Sequence, residues 1–115
     1  GVHPEELSRI QGQLADFSVI HATSPLDHRS AWIEVFHPEV SKSRSVNWLT
    51  DKLGISQDRV VAVGNDYNDH DLLEWAGLGL LVANGPDDMK ERFTAVATNN
   101  RCGVSDAARV AGLLA

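Results

Sequence analysis

The chain has 115 residues, 43% of them hydrophobic, and a formal net charge of −6. That is enough apolar material for one small domain with a core and too much for a disordered chain. The acidic balance argues against nucleic acid, whose phosphates call for basic stripes.

No apolar run approaches the ~20 residues that span a bilayer, so no membrane partner is expected. GVHPEELSRI lacks the basic-then-apolar layout of a signal peptide. Cys102 is the single cysteine and cannot form an internal disulfide, which leans the reading towards the cytoplasm. Internal repeats and low-complexity tracts are missing.

In chain order, Pro4 to Leu14 reads as an amphipathic helix, with Pro4 and the acidic Glu5 and Glu6 at its start and Leu7, Ile10 and Leu14 on one face. Phe17 to Ala22 reads as a strand. Thr23 to Arg29, with Ser24, Pro25 and Asp27, reads as a turn. Ala31 to Phe36 alternates like a half-buried strand, so the two strands predict a hairpin. His37 to Val40 is a connector.

Ser41 is an N-cap candidate for a helix from Lys42 to Leu53, with Val46, Leu49 and Leu53 on one face and Gly54 as its left-handed terminator. Arg59 to Val63 is a valine-rich strand and Asp69 to Trp75 a short helix ended by Gly77. Leu78 to Ala83 is a second strand, broken by Asn84, Gly85 and Pro86. Asp87 and Asp88 start a short helix ending near Phe93. Ala95 to Thr98 gives a short third strand. Gly103 to Leu114 closes as a helix with Val104, Ala107, Val110 and Leu113 in register. Trp32, Trp48 and Trp75 are expected as core anchors and Cys102 as a structural thiol.

The alternation from Lys42 onward predicts an α/β arrangement, a parallel sheet flanked by helices. Three parallel strands are a thin sheet. The expectation is therefore a partial Rossmann-like sheet at the carboxyl-terminal end of something longer, preceded by an αββ remnant of another domain. An uncovered sheet edge would also let the piece pair with a second copy as a homodimer.

Chemistry gathers in RVVAVGNDYNDHDLLEW, residues 59–75. A strand, a tight acidic turn and a helix make half of a βαβ unit, and ligands of open α/β sheets lie beyond such strand ends. Asn65, Asp66, Asn68 and Asp69 place four oxygen-bearing side chains there. Two readings stand: Asx residues capping the next helix, or a seat for a hard cation such as Mg²⁺, which takes oxygen ligands and relieves crowded negative charge. An EF-hand is excluded, since its sixth position is Asp71 and its twelfth Gly77. Lys42 is either an ordinary exposed lysine or a cation aimed at a phosphate. Asn84 and Gly85 form a turn or line the same site, and Asn99 and Asn100 share that ambiguity. His3, His21, His28, His37 and His70 lack metal-site spacing, and His70 is expected to face solvent.

The segments SKSRSVNWLTDKLGISQDRVVAVGNDYNDHDLLEWAG and VANGPDDMKERFTAVATNNRCGV resemble the carboxyl-terminal half of haloacid dehalogenase-like (HAD) phosphatases, nearest the Cof-like type IIB branch. The resemblance covers about residues 40–115. It implies a Rossmann-like core from about residue 38, with residues 1–37 as the end of an inserted α/β cap. It also implies Mg²⁺, held by Asn65, Asp66 and Asp69, and a small phosphorylated substrate such as a sugar phosphate. Lys42 falls on the motif lysine that steadies nucleophile and phosphoryl group, and Asn68 and Asn84 fall on the substrate side. Asn65 stands where the family usually has aspartate. No Asp-x-Asp motif of the kind that carries the nucleophile in this family stands on a strand here, and the family's Ser/Thr motif at the end of another early strand is also missing. The attacking group would come from the amino-terminal half of the same protein, and these residues alone would be inactive. The alternative is a non-catalytic module that keeps the fold and binds a protein or small ligand, a reading supported by Asn65.

Overall fold

The computed structural model describes residues 3–24, 26–27 and 29–115. Pro25 of the expected turn and His28 lie outside them. The chain divides into two compact units, Gly1–Ser41 and Lys42–Ala115.

In the first unit, helix α1 (Pro4–Gln13) is followed by strands β1 (Ser18–Thr23) and β2 (Ala31–Phe36). The strands pair antiparallel from Ser18 opposite Phe36 to Thr23 opposite Ala31, which is the expected hairpin. Ala22 and Ala31 are buried, whereas Phe17 and Trp32 are exposed. Trp32 is therefore not the core anchor expected of it. In the turn, Asp27 accepts the N–H groups of Arg29 and Ser30, both at 3.0 Å, and the Ser30 hydroxyl at 2.8 Å.

Those bonds, the Arg29 amide first, hold the Asp27 carboxyl well below the usual carboxylate range. A depressed folded value means that this contribution is complete above the ordinary carboxylate pKa. It is lost as pH falls through the folded value. A carboxyl-detected NMR titration is expected to show Asp27 ionising below ordinary exposed aspartates, and Asp27→Asn to remove that acid dependence from the hairpin. An ordinary Asp27 value would refute the turn geometry.

The second unit contains helix α2 (Lys42–Leu53), strand β3 (Val61–Gly64), helix α3 (His70–Trp75), strand β4 (Leu78–Val82), helix α4 (Asp87–Lys90), strand β5 (Thr94–Val96) and helix α5 (Gly103–Val110). The sheet order is β3-β4-β5, all parallel, with Val61 beside Leu78 and Leu80 beside Thr94. Among the described residues β3 pairs on one side only. Side-chain alternation along β4 makes two cores. Leu81 joins Ala62, Leu73, Met89 and Phe93 on one face; Leu80 and Val82 join Val96 and Ala107 on the other. Leu80 and Leu81 are both 0% exposed, each contributing about 1.5–3 kcal/mol of burial. Among the described residues no helix is long and apolar enough to cross a membrane.

Both longer helices of this unit end at glycine. Gly54 has φ +65°, and Ile55 N–H reaches Thr50 O at 2.9 Å. Gly112 has φ +71°, Leu113 N–H reaches Ala108 O at 2.8 Å and Gly112 N–H reaches Arg109 O at 2.9 Å. This is a Schellman arrangement. It stops α5 short of the expected Leu114.

The expected faces need correction. On α2, Val46 is half-buried but Leu49 and Leu53 are exposed, and the buried residue is Thr50, whose hydroxyl donates to Asn47 O at 2.9 Å. On α5, Val104 and Val110 are exposed and Ala107 is buried, and Leu113, beyond the end of the helix, is exposed too. Small residues face the sheet because the approach is close: a Cβ on Gly103 would lie 2.5 Å from Ala97 O and 3.0 Å from a Val82 methyl. Trp48 is 63% exposed with the Lys52 ammonium 5.4 Å from its ring centroid, and Trp75 is half-buried. The two line a shallow groove with Ser43, Arg44, Asn47 and Asp51.

Smaller shifts have local causes. Arg59 closes a 3-10 turn, Gln57–Arg59, rather than opening the strand, because Gln57 O captures the N–H groups of Val60 and Gly77. Ala97 N–H turns to the Asp106 carboxylate at 2.8 Å, so β5 ends at Val96. Cys102 is exposed and left-handed, φ 58°, which corrects the expectation of a packed thiol. His70 is only partly open to solvent, since its ring stands edge-on to Phe93 at 5.5 Å.

Candidate active site

β3 delivers Asn65 to the carboxyl rim of the parallel sheet. The chain then turns through Asp66 into a 3-10 turn, Tyr67–Asp69, before α3. Asp66 caps that turn, accepting Tyr67 N–H at 2.8 Å. Asp66 thus caps the 3-10 turn rather than the next helix, and Asp69, at the start of α3, makes no side-chain cap there. Asp69 does something else. One oxygen accepts Asn65 N–H at 2.9 Å, and the other accepts the Lys42 ammonium. It ties both ends of the turn together and holds the start of α2 to it.

This closure depends on Gly64. A Cβ there would lie 2.6 Å from Asp69 Cβ and 3.0 Å from both an Asp69 carboxylate oxygen and a Leu73 methyl. The glycine is needed for close approach rather than for a special dihedral angle.

Lys42 and Asp69 are separated by 27 residues in sequence and meet at the rim. The Asp69 side chain is 13% exposed and that of Lys42 43%, so the pair is open on the lysine side. Asn65 is exposed, and Asn68 is half-buried in the 3-10 turn. Asn84 follows β4 at the same edge of the sheet, and its side-chain oxygen accepts Asn99 N–H at 3.0 Å. The loops after β4 and β5 are thus joined by one amide.

Sequence reasoning missed three participants. Asp71 accepts Ser43 N–H at 3.0 Å, fastening the first turn of α2 to α3. The Tyr67 hydroxyl donates to Asp88 at 3.1 Å, while the same Asp88 oxygen accepts Met89 N–H at 3.0 Å. Burial first, and then the Asp88 carboxylate, push the Tyr67 hydroxyl above its ordinary pKa. Periodicity carries no signal for contacts made over 21 or 28 residues.

Among the described residues, no three His, Cys, Asp or Glu side chains group as a metal cage. The rim offers two carboxylates and the Asn65 amide, an all-oxygen donor set. That chemistry suits Mg²⁺, which is commonly held by one or two carboxylates with water and substrate oxygen completing its shell. The residues present therefore fit the group.

A parallel sheet with helices on both faces, and polar side chains at its carboxyl rim, defines an open α/β protein, a class whose ligands lie beyond the carboxyl ends of the strands. The sequence profile of the haloacid dehalogenase-like hydrolases matches residues 3–107, and the chain belongs to that family, as a Cof-like member. It is 32% identical over 107 residues to the 5-amino-6-(5-phospho-D-ribitylamino)uracil phosphatase YitU of Bacillus subtilis, covering 88% of this chain and 38% of that protein. The solved structure of a haloacid dehalogenase-like hydrolase from B. subtilis superposes with a TM-score of 0.75 at 25% identity, over 96% of this chain and 38% of that one. That of the HAD subclass IIB sugar phosphatase BT4131 superposes with a TM-score of 0.79 at 18% identity, over 98% and 42%, and shows the shared fold. The chain thus spans about two fifths of the length of these relatives.

Proposed function

We propose that these residues are the carboxyl-terminal part of a Mg²⁺-dependent phosphatase acting on sugar phosphates or similar small phosphate monoesters. The observation that carries the reading is the contact of the Lys42 ammonium with Asp69 at the mouth of β3. A lysine at a helix start is disfavoured by the helix dipole, and here it is turned towards the acidic rim, where a phosphoryl group would arrive. Asn65, Asp66 and Asp69 would hold Mg²⁺, which supplies charge neutralisation for the transferring group. Lys42 would steady that group, and Asn68 and Asn84 would face the substrate. The nucleophile, an aspartate that forms an aspartyl-phosphate before water releases phosphate, would come from the amino-terminal half of the same protein. Residues 1–37 would be the end of a cap and 38–115 the second half of the core. The separate chain would be inactive and, with one edge of β3 left without a partner strand among the described residues, prone to pair with another copy.

The test is hydrolysis of a generic phosphate monoester by the intact protein with and without Mg²⁺. A rate that survives complete removal of divalent cations would overturn the reading. Asn65→Asp is expected to tighten Mg²⁺ dependence about tenfold, because it adds a charge to the donor set. A second reading, a non-catalytic module that binds a protein or small ligand in the cytoplasm, is favoured by Asn65 alone. It gains if the intact protein stays inert with either residue at position 65.

A further inference from the structure

α2 is fastened to the 3-10 turn and to α3 by two carboxylates two residues apart. Asp69 takes the ammonium of Lys42, and Asp71 takes the backbone N–H of Ser43 at 3.0 Å. The partners are also consecutive: Lys42 and Ser43 are the first two residues of α2. The first N–H groups of a helix have no acceptor within it, so a carboxylate from elsewhere completes the terminus and favours its positive end. Asp71 lies in the first turn of α3, immediately past the 3-10 turn that carries Asp69. One rigid stretch of backbone therefore grips both the side chain of residue 42 and the peptide group that follows it.

The two grips differ in kind. A lysine side chain is long and flexible, and its contact with Asp69 alone leaves the helix start free to drift while the ion pair is kept. Fixing the Ser43 amide removes that drift and leaves only side-chain torsions to aim the ammonium. We propose that Asp71 is a positioning residue for Lys42: it docks the first turn of α2 so that the ammonium is presented at the carboxyl rim of β3. Its consequence for rate rests on the phosphatase reading; the docking itself does not.

The experiment uses the intact protein with Asp71→Ala, Asp71→Asn, Lys42→Ala and the Lys42→Ala/Asp71→Ala pair. Misplacing a catalytic group by about 1 Å costs up to about 100-fold, so Asp71→Ala is expected to lower kcat by about tenfold or more with KM little changed. Asp71→Asn keeps an acceptor oxygen and recovers most of the rate. In the Lys42→Ala background, Asp71→Ala has no further effect, the mark of two residues acting through one group. An equal loss in both backgrounds would make Asp71 merely structural and overturn the proposal.

Two NMR readouts stand apart from activity. Asp71→Ala should speed exchange of the Ser43 amide and move the Lys42 ¹⁵Nζ resonance towards that of a free lysine, while Asp71→Asn preserves both. An unmoved Lys42 resonance in Asp71→Ala overturns the docking even if the protein hydrolyses nothing. A moved resonance in a protein without phosphatase activity sinks the functional reading alone. If Asp71→Ala does not fold, Asp71→Ser, whose shorter side chain withdraws the acceptor from the Ser43 N–H while keeping a polar group in the first turn of α3, supplies the same comparison.

Discussion

Lys42→Ala in the intact protein is expected to lower kcat on a small phosphate monoester by about 10²–10³-fold, the usual cost of deleting one preorganised group that stabilises developing charge. Folding should hardly notice. The lysine is 43% exposed, and ion pairs open to solvent are worth about 0–1 kcal/mol. Asp69 keeps its second bond, to Asn65 N–H, when the ammonium is gone. The expected signature is a large drop in rate with a melting curve that barely shifts. Lys42→Arg should recover little, because the planar guanidinium is wider than the ammonium and fits a single carboxylate oxygen poorly. Steady-state kinetics at saturating Mg²⁺, with a calorimetric scan of each variant, reads both quantities. A Lys42→Ala enzyme that keeps most of the parent rate would remove the lysine from the chemistry.

Gly64→Ala is expected to destabilise the protein by about 1–3 kcal/mol, the range for forcing a methyl into filled space, and to open the rim as well. Its new Cβ would meet the Cβ of Asp69 at 2.6 Å. That atom is fixed to the backbone of the 3-10 turn, so relief requires the turn itself to move. The Leu73 methyl at 3.0 Å can rotate away, but Asp69 cannot do so without loosening its bonds to Asn65 and Lys42. Chemical denaturation of the intact protein reads the first effect, and loss of activity among the molecules still folded reads the second. Gly12→Ala is the control. It sits within α1, and a methyl added there would find nothing within 4 Å. Alanine is also the better helix former, so the sign should reverse.

Sequence and structure agree most where local chemistry decides. Valines at 60, 61 and 63 announce β3, Gly54 stops α2 at the expected residue, and the alternation from Ala31 to Phe36 becomes one arm of the hairpin. Lys42 and the acidic turn, singled out separately in the sequence, are in contact in the structure. Disagreement concentrates where packing partners decide. Leu49, Leu53, Val104 and Val110 have helical spacing but face solvent. The inward positions belong to Thr50, Ala107 and Gly103, and α5 approaches the sheet too closely for larger side chains. Trp48 is an anchor by type and a surface residue by placement. The Asp71 bond to Ser43 has no sequence signature: an aspartate in the first turn of a helix already has a sufficient local reason to be there.

The amide bridge from Asn84 to Asn99 has a thermodynamic consequence. Two loops that would otherwise wander independently lose that freedom when the chain folds. If this border of the sheet takes a small phosphorylated substrate, as proposed above, that ligand would have less disorder left to suppress, and more of its contact energy would survive as affinity. Cutting the tether would show itself as weaker and more entropy-opposed capture in calorimetry, with the fold intact.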